Sequence, residues 1–521
     1  MQAPSAIASR EAGLAQLAER LSCKEEVVGS NPTLGSAALP SAPMRGTTDS
    51  VTVVRFDDRM GEVDALMWAM EADPVLRSTV IALALLDGPP DRERLTARVR
   101  RSVEEIPRLH QVAVEHFGGT PRWVRAEEID LGYHLRFCRR PDWSDRGLLG
   151  LVDEIAAIPF DRSRPLWQHT VVEDLPGGGA ALVVKVHHSL TDGVGGMEIA
   201  AGLLFDLEAD EPPPPPAPAP AVDPGPDKGR AGRVTRLARE ARRQLRRLVA
   251  LARGVVRLAL RPSEVLRSAA TAAGSALRAV SPFSGALSPL LLGRSSQRRY
   301  HEFPVALDRL RDAARMADAR VNDAFLAALA GGLGRYHRRH RVSVDALRVT
   351  MPINTRAAGD DMVAGNRHAP SRFPLPVGEP DPVLRMQAIA RQVTAERAEP
   401  ALRFAEAFAG LLRRLPAALR LRLFGGMLKG VDVLASNVAG VTFPLYLAGA
   451  RIAGLVAFGP PLGAALNVTL LSYLDRASIG VVTDTRAVPD PEVLLACLKE
   501  GFEEVLDVGR TPPPQAPTWR T

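Results

Sequence analysis

The stretch His187-His188-Ser189-Leu190-Thr191-Asp192-Gly193 reads His-His-x-x-x-Asp-Gly. Imidazole titrates nearest to neutral pH, so a histidine here can take a proton from an alcohol and hand it to a leaving group. Spacing points to a strand-end base in the pair His187-His188. Asp192 lies too close along the chain to orient a relay of the Ser-His-Asp kind, so it reads as a turn-holding residue. Gly193 permits the tight turn that follows. No Gly-x-Ser-x-Gly elbow is present, so a serine nucleophile of that kind is not expected. The competing reading is a packed histidine pair at a strand end beside a capping aspartate.

Such a base needs a rigid platform. The apolar run Ala180 to Val186 supplies one as a buried strand ending at the motif, and Gly193, Gly195 and Gly196 lead into a helix near Met197 to Phe205. Upstream, Glu62 to Glu71 reads as a helix, Thr79 to Leu86 as an apolar strand, and Asp91 to Ile106 as an amphipathic helix. Trp123 to Phe137 contains strand-like alternation, and Pro165-Leu166-Trp167 opens another strand. Elements mixed in this order predict α/β or α+β layers over residues 51–209.

A second mixed region runs over 281–507. Within it, Asn322 is expected to cap a helix from Asp323 to His337. Leu347 to Ile353 reads as a strand, Pro416 to Leu428 as a basic helix, Ser436-Asn437 as a small-residue turn, and Ser472 to Val482 as a late strand. The uncharged stretches Val433 to Ala450 and Ile452 to Leu474 are broken by Gly, Pro and Asn, which argues for short buried strands rather than membrane spans.

Between the two regions, 210–280 begins with a Pro/Ala-rich linker and continues as a basic amphipathic helix from Arg230 to Leu266. Lys228 to Arg267 holds 13 Lys or Arg against Glu240 and Glu264, which suits an anionic membrane surface. Nucleic acid is disfavoured because no aromatics interleave with the charges. The whole chain of 521 residues carries a net charge of +7, consistent with anionic partners. Its 3 cysteines, Cys23, Cys138 and Cys497, form no CxxC, so neither a disulfide framework nor a cysteine-based metal site is expected and a cytoplasmic setting fits.

Residues 1–50 are expected to carry no function. Leu14-Ala15-Gln16-Leu17-Ala18-Glu19 and Gly29-Ser30-Asn31-Pro32 can be encoded by the D-arm and T-arm of a transfer RNA gene, which would put the true start at Met44 or Met60. Residues 508–521 read as a disordered tail.

Several separated patches resemble the bacterial wax ester synthase/acyl-CoA:diacylglycerol acyltransferase family. They are Asp58-Arg59-Met60, Asp64-Ala65-Leu66-Met67-Trp68, Glu71-Ala72-Asp73-Pro74, Arg164-Pro165-Leu166-Trp167 and the histidine motif. The second half adds Val321-Asn322-Asp323-Ala324, Pro352-Ile353-Asn354-Thr355-Arg356, Gly365-Asn366, Ser436-Asn437-Val438-Ala439-Gly440, Ser472-Tyr473 and Pro489-Asp490. Ala439-Gly440-Val441 departs from the family's proline-glycine-proline turn. The resemblance implies two chloramphenicol-acetyltransferase-like domains with a substrate tunnel between them, exposing His188 as the base while His187 packs or hydrogen-bonds inward. It further implies acyl transfer from acyl-CoA, as co-substrate and without a cofactor or metal, to diacylglycerol or a long-chain alcohol. Peripheral association with a membrane or lipid inclusion would follow. Oxyanion donors are required in principle, and Asn437 is the candidate. Two other functions remain: a condensation-type acyltransferase with another acceptor, and a catalytically silent lipid-surface protein. Intact His188 and Asp192 weigh against the silent protein, and the chain shows no adjoining carrier or adenylation pattern.

Overall fold

A computed structural model describes residues 58–115, 120–140, 146–190, 204–210, 288–354, 368–397, 410, 413 and 415–510. The N-terminal extension, Asp192, Gly193, the helix expected near Met197, the linker and basic helix, and Gly365-Asn366 lie outside the described residues.

Helix α1 (Glu62–Met70) leads to strand β1 (Thr79–Leu86), whose bounds are those of the apolar run, and to α2 (Arg92–Glu105). Asp91 starts α2 by accepting the Arg94 N–H at 2.9 Å. A small hairpin, β2 (Gln111–Val114) with β3 (Arg122–Arg125), precedes α3 (Leu131–His134), β4 (Leu135–Arg139) and α4 (Gly147–Ala157). Strands β5 (Trp167–Glu173) and β6 (Ala180–His187) complete the first half. The second half holds β7 (Arg298–Ala306), α5 (Leu307–Met316), α6 (Val321–Arg339), β8 (Leu347–Asn354), β9 (His368–Leu375) and α7 (Pro382–Arg397). It continues through α8 (Ala417–Arg420) and α9 (Gly426–Lys429) to β10 (Val433–Val438), β11 (Tyr446–Leu447), β12 (Ala450–Phe458), β13 (Leu466–Tyr473), β14 (Arg476–Asp484) and α10 (Pro491–Val508).

Two six-stranded mixed sheets result, in the orders β11-β12-β1-β6-β5-β4 and β7-β14-β13-β10-β8-β9. The first does not respect the division of the chain into halves. β12 pairs antiparallel with β1, from Ile81 opposite Phe458 to Leu86 opposite Ile452, so the second half completes the sheet that carries the histidine motif. The sheets meet where Gly480 of β14 lies against the Ala457 carbonyl, a contact that a Cβ would block. Ile81, Leu83, Ala181 and Val183 pack there with Tyr300, Phe458 and Val482. Each large aliphatic side chain buried in this layer contributes about 1.5–3 kcal/mol relative to exposure.

Behind the second sheet, α6 is apolar all round from Ala324 to Gly334 and fully enclosed. It crosses α10 closely because Gly501 sits against the Gly332 backbone, leaving no room for a side chain.

Three local expectations differ from the structure. The helix expected from Asp323 starts at Val321 and runs to Arg339, and its cap is not Asn322. Asp323 reaches back to accept the Arg320 N–H at 3.0 Å, because a carboxylate in the third helical position can close the free amide at the cap. Ser436 and Asn437 lie in β10 rather than in a turn, since parallel pairing with β13 on one side extends the strand to Val438. Ser472 and Tyr473 close β13, and the late strand begins at Arg476 after a tight reversal in which Leu474 takes a positive φ of 55°.

Candidate active site

Backbone pairing carries the two histidines to the end of β6, an inner strand of the first sheet. His187 is opposite Thr79 of β1 and donates its N–H to the Leu166 carbonyl at 3.0 Å. His188 extends the ladder by one residue, donating its N–H to the Ser78 carbonyl at 2.9 Å. The chain then turns back, with the Leu190 N–H on the His187 carbonyl at 3.0 Å. Arg164-Pro165-Leu166-Trp167 is therefore part of the platform: Leu166 and Trp167 are fully buried, and the Trp167 indole N–H is held by the Leu109 carbonyl at 2.9 Å.

The rings have different surroundings. His187 is buried. Its Nδ1 lies 3.1 Å from the Ser189 backbone N–H and 2.7 Å from the Ser189 hydroxyl. A backbone amide can only donate, so Nδ1 accepts and the neutral ring carries its proton on Nε2. That Nε2 faces Oε1 of Glu71 at 3.2 Å. Trp68 packs edge-on at 5.7 Å between ring centroids, and Phe160 at 6.3 Å. His188 is half-buried, with its Nδ1 shielded from solvent.

Around this pair the charges are arranged in layers. Burial pushes the Glu71 carboxyl up, but His187, the Ser78 amide and Arg77 outweigh it, and the net shift is downward. Lys185, two residues before His187, is buried with its ammonium on the Ile158 carbonyl at 2.6 Å and 4.7 Å from the Phe160 ring centre. Burial, helped by Arg77 and Arg136, brings it down to about 8. Arg162 stacks over Trp68 at 3.8 Å and donates to the Trp68 carbonyl at 2.7 Å. Trp68 is thereby fixed on both faces of the motif's wall.

Asn437 stands exposed near the end of β10. Its neighbour Val438 packs on the same apolar cluster as Trp68 and Leu190, two residues after His188. Asp192 and Gly193 fall outside the described residues. Glu71, Ser78 and Ser189 were not singled out for the site by sequence reasoning. One signal was available for Glu71: it closes α1, at the end of a helix where a carboxylate is disfavoured by the dipole, and so needs another reason to be there.

Residues 60–325 match the wax ester synthase/diacylglycerol acyltransferase catalytic domain, and residues 364–505 match the C-terminal domain of the same family. The chain belongs to this family. A Mycobacterium tuberculosis H37Rv protein named as a candidate diacylglycerol O-acyltransferase is 36% identical over 482 residues, covering 88% of this chain and 94% of the relative. A second from the same strain, similarly named, is 29% identical over 481 residues, covering 87% and 98%. Among solved structures, the wax ester synthase/diacylglycerol acyltransferase from Marinobacter aquaeolei VT8 superposes with a TM-score of 0.57 at 23% identity, covering 87% of this chain and all of that one. The first condensation domain of the calcium-dependent antibiotic synthetase superposes with a TM-score of 0.56 at 17% identity, covering 88% and 98%. These two share the fold expected for a pair of chloramphenicol-acetyltransferase-like domains. Membership makes the chain an acyltransferase, the class of reaction expected of the histidine motif. Among the described residues no helix is long and apolar enough to cross a membrane.

Proposed function

We propose that this enzyme moves a fatty acyl group from acyl-CoA directly to the hydroxyl of diacylglycerol, with long-chain alcohols as a second acceptor class, and that His188 is the base. The observation that carries this reading is the contrast at the end of β6. His187 is enclosed, with Nδ1 on Ser189 and Nε2 3.2 Å from Glu71, while His188 is half-buried on a backbone pinned by Ser78.

His188 removes the acceptor proton as the alcohol oxygen attacks the thioester carbon. The carbonyl electrons move onto oxygen and return as the carbon–sulfur bond breaks. The proton on His188 passes to the departing thiolate, giving the ester and free CoA. No external oxidant, metal or cofactor enters this balance. Asn437 is proposed to offer its amide N–H to the transient oxyanion. Asp192 and Gly193 keep the turn-holding and turn-permitting roles expected from the sequence, and both substrates are proposed to reach His188 through the tunnel that the family resemblance implies.

The basic stretch Arg230 to Leu266 is proposed to rest on anionic membrane or lipid inclusions, where diacylglycerol dissolves. The test is purified protein with labelled acyl-CoA, offered diacylglycerol in anionic vesicles and hexadecanol separately. Transfer to diacylglycerol is expected, and faster with anionic than with neutral vesicles. Absence of transfer to both acceptors rejects the acceptor class, and equal rates on the two vesicles reject the surface role.

A further inference from the structure

Glu71 has no part in the proton transfers above, yet it reaches both histidines. Its side chain is 11% exposed at the C-terminal end of α1, a helix with no basic residue in its last turn. Placing a carboxylate there opposes the helix dipole, so tertiary contacts must hold it. One oxygen makes those contacts. Oε1 accepts the Ser78 N–H at 2.5 Å and lies 3.2 Å from His187 Nε2. The carbonyl of the same Ser78 accepts the His188 N–H at 2.9 Å.

The two contacts have different consequences. With Nδ1 of His187 committed to the Ser189 N–H, the ring proton belongs on Nε2, which faces the Glu71 carboxylate at 3.2 Å. The opposite tautomer would set the Nε2 lone pair against the carboxylate and the Nδ1 proton against the Ser189 amide. Either conflict would open the 187–190 turn. The Ser78 contact acts along the backbone, fixing the residue to which His188 is bonded. Glu71 is itself tied down from the other half of the molecule. Two residues on, Asp73 pairs with Lys429 at 2.6 Å, and Leu66, Met70 and Leu76 pack against Leu421, Phe424 and Leu428.

We propose that Glu71 is a positioning residue for acyl transfer, holding His187 in its Nε2-protonated form and, through Ser78, fixing the backbone from which His188 projects. This rests on His188 being the base. What matters in this arrangement is the reach of the acceptor oxygen rather than its charge.

Two near-isosteric variants separate reach from charge. Glu71→Gln keeps an oxygen at the same distance and removes the charge. Glu71→Asp keeps the charge and shortens the side chain by one methylene. The measurements are kcat, KM for acyl-CoA and melting temperature, with His188→Ala assayed alongside. Glu71→Gln is expected to lower kcat by about threefold. Glu71→Asp is expected to lower it by about 10- to 100-fold, because a displacement of about 1 Å in a catalytic group can cost about 10² in rate. KM should stay within about twofold in both, since neither contact reaches the CoA thioester. A Glu71→Asp enzyme as active as Glu71→Gln, or both within twofold of the parent, overturns the proposal. Near-parent activity in His188→Ala would instead overturn the reading of the base. An inactive His188→Ala beside fully active Glu71 variants rejects the positioning role alone.

Discussion

Each half of the molecule contains a buried histidine in contact with a serine, and only the first is followed by a second, half-buried histidine. In the first half, His187 engages Ser189, and His188 follows it, half-buried, at the end of β6. In the second, His337 near the end of α6 lies 2.7 Å from the Ser288 hydroxyl, with Asp432 accepting the Ser288 N–H at 3.2 Å. By residue type this second group is the more familiar catalytic set. Its wiring shows otherwise. His337 Nδ1 donates to the Leu333 carbonyl at 2.8 Å, so Nε2 accepts the Ser288 O–H. The same hydroxyl accepts the Leu290 and Leu291 N–H groups at 3.2 and 3.1 Å, and Asp432 also accepts the Arg348 N–H at 2.8 Å. All three side chains are buried. Burial pushes the His337 ring down, against the pull of Leu333 and Asp432, so the ring favours the neutral state this wiring needs. A nucleophile–base pair with every lone pair and proton spoken for is a structural knot, tying the segment at Ser288 to α6 and β10. What separates the two groups is exposure, not residue type: the first is followed directly by a half-buried ring, His188, and the second is closed on every side.

The largest effect should come from removing the open ring. His188→Ala is expected to lower kcat by about 10²–10⁴-fold, the usual contribution of a positioned acid–base group, with little change in melting temperature. His337→Ala should do the reverse. It leaves the Ser288 O–H proton buried without its acceptor and opens a cavity, at a cost of about 2–4 kcal/mol in stability. Activity per folded molecule should stay within a few-fold of the parent. Chemical denaturation with acyl-transfer assays on both variants checks the pair. Equal losses of turnover would erase the distinction between the two sites.

Much of the platform could be read locally. β1 occupies the same residues as its apolar run, and β6 extends only one residue past Val186, to His187. The motif's strand-end position followed from that, because a strand's length is written in its own side chains. Partners were less legible. Ala450 to Phe458 is apolar enough to mark a strand, but nothing in those residues says that it pairs with β1 rather than with its neighbours in the second half. The cap of α6 was assigned to Asn322 because Asn favours that position, whereas a carboxylate three residues into the helix competed for the same amide and won. Glu71 stood in a patch that carried the family resemblance, yet its contact with His187 depends on the packing of α1 beside β6, which spacing along the chain does not encode.

A third, intermediate effect compares the halves through pH. His169 on β5 and His301 on β7 are both buried and both brought down to about 4. Burial dominates in each case, aided by His134 beside the first and by Arg146 and Arg299 beside the second. Above about pH 6.5 these rings are neutral whether the chain is folded or unfolded, and they have no effect on stability. As pH falls below 6.5 the unfolded chain binds protons that the folded protein does not accept until about 4, so stability drops across that window. Between pH 7.5 and 5 the loss should be on the order of 2 kcal/mol for each histidine. His169→Phe and His301→Phe should each flatten the dependence, measured by urea denaturation at the two pH values. If the halves unfold as one cooperative unit through the shared β12, each substitution will move the same single transition. If they unfold apart, each will move only its own.

The smallest effect tests what joins the halves at the site. Lys429 meets Asp73 at 2.6 Å, but both side chains are partly exposed, at 37% and 25%. Water and salt screen such a pair, and holding a lysine side chain still costs entropy, so the pair should contribute less than about 1 kcal/mol. Lys429→Gln is expected to shift the denaturation midpoint only slightly, and high salt should abolish the difference. Asp73→Ala should cost more, about 1–2 kcal/mol, because Asp73 also accepts the Val75 N–H at 3.0 Å and so caps the turn that leads into β1. The apolar packing of Leu66, Met70 and Leu76 against Leu421, Phe424 and Leu428 survives both changes. Turnover should then be nearly unchanged in Lys429→Gln. A large fall in kcat there, with stability intact, would mean that the ion pair and not the apolar contact carries the position of α1 to the histidines.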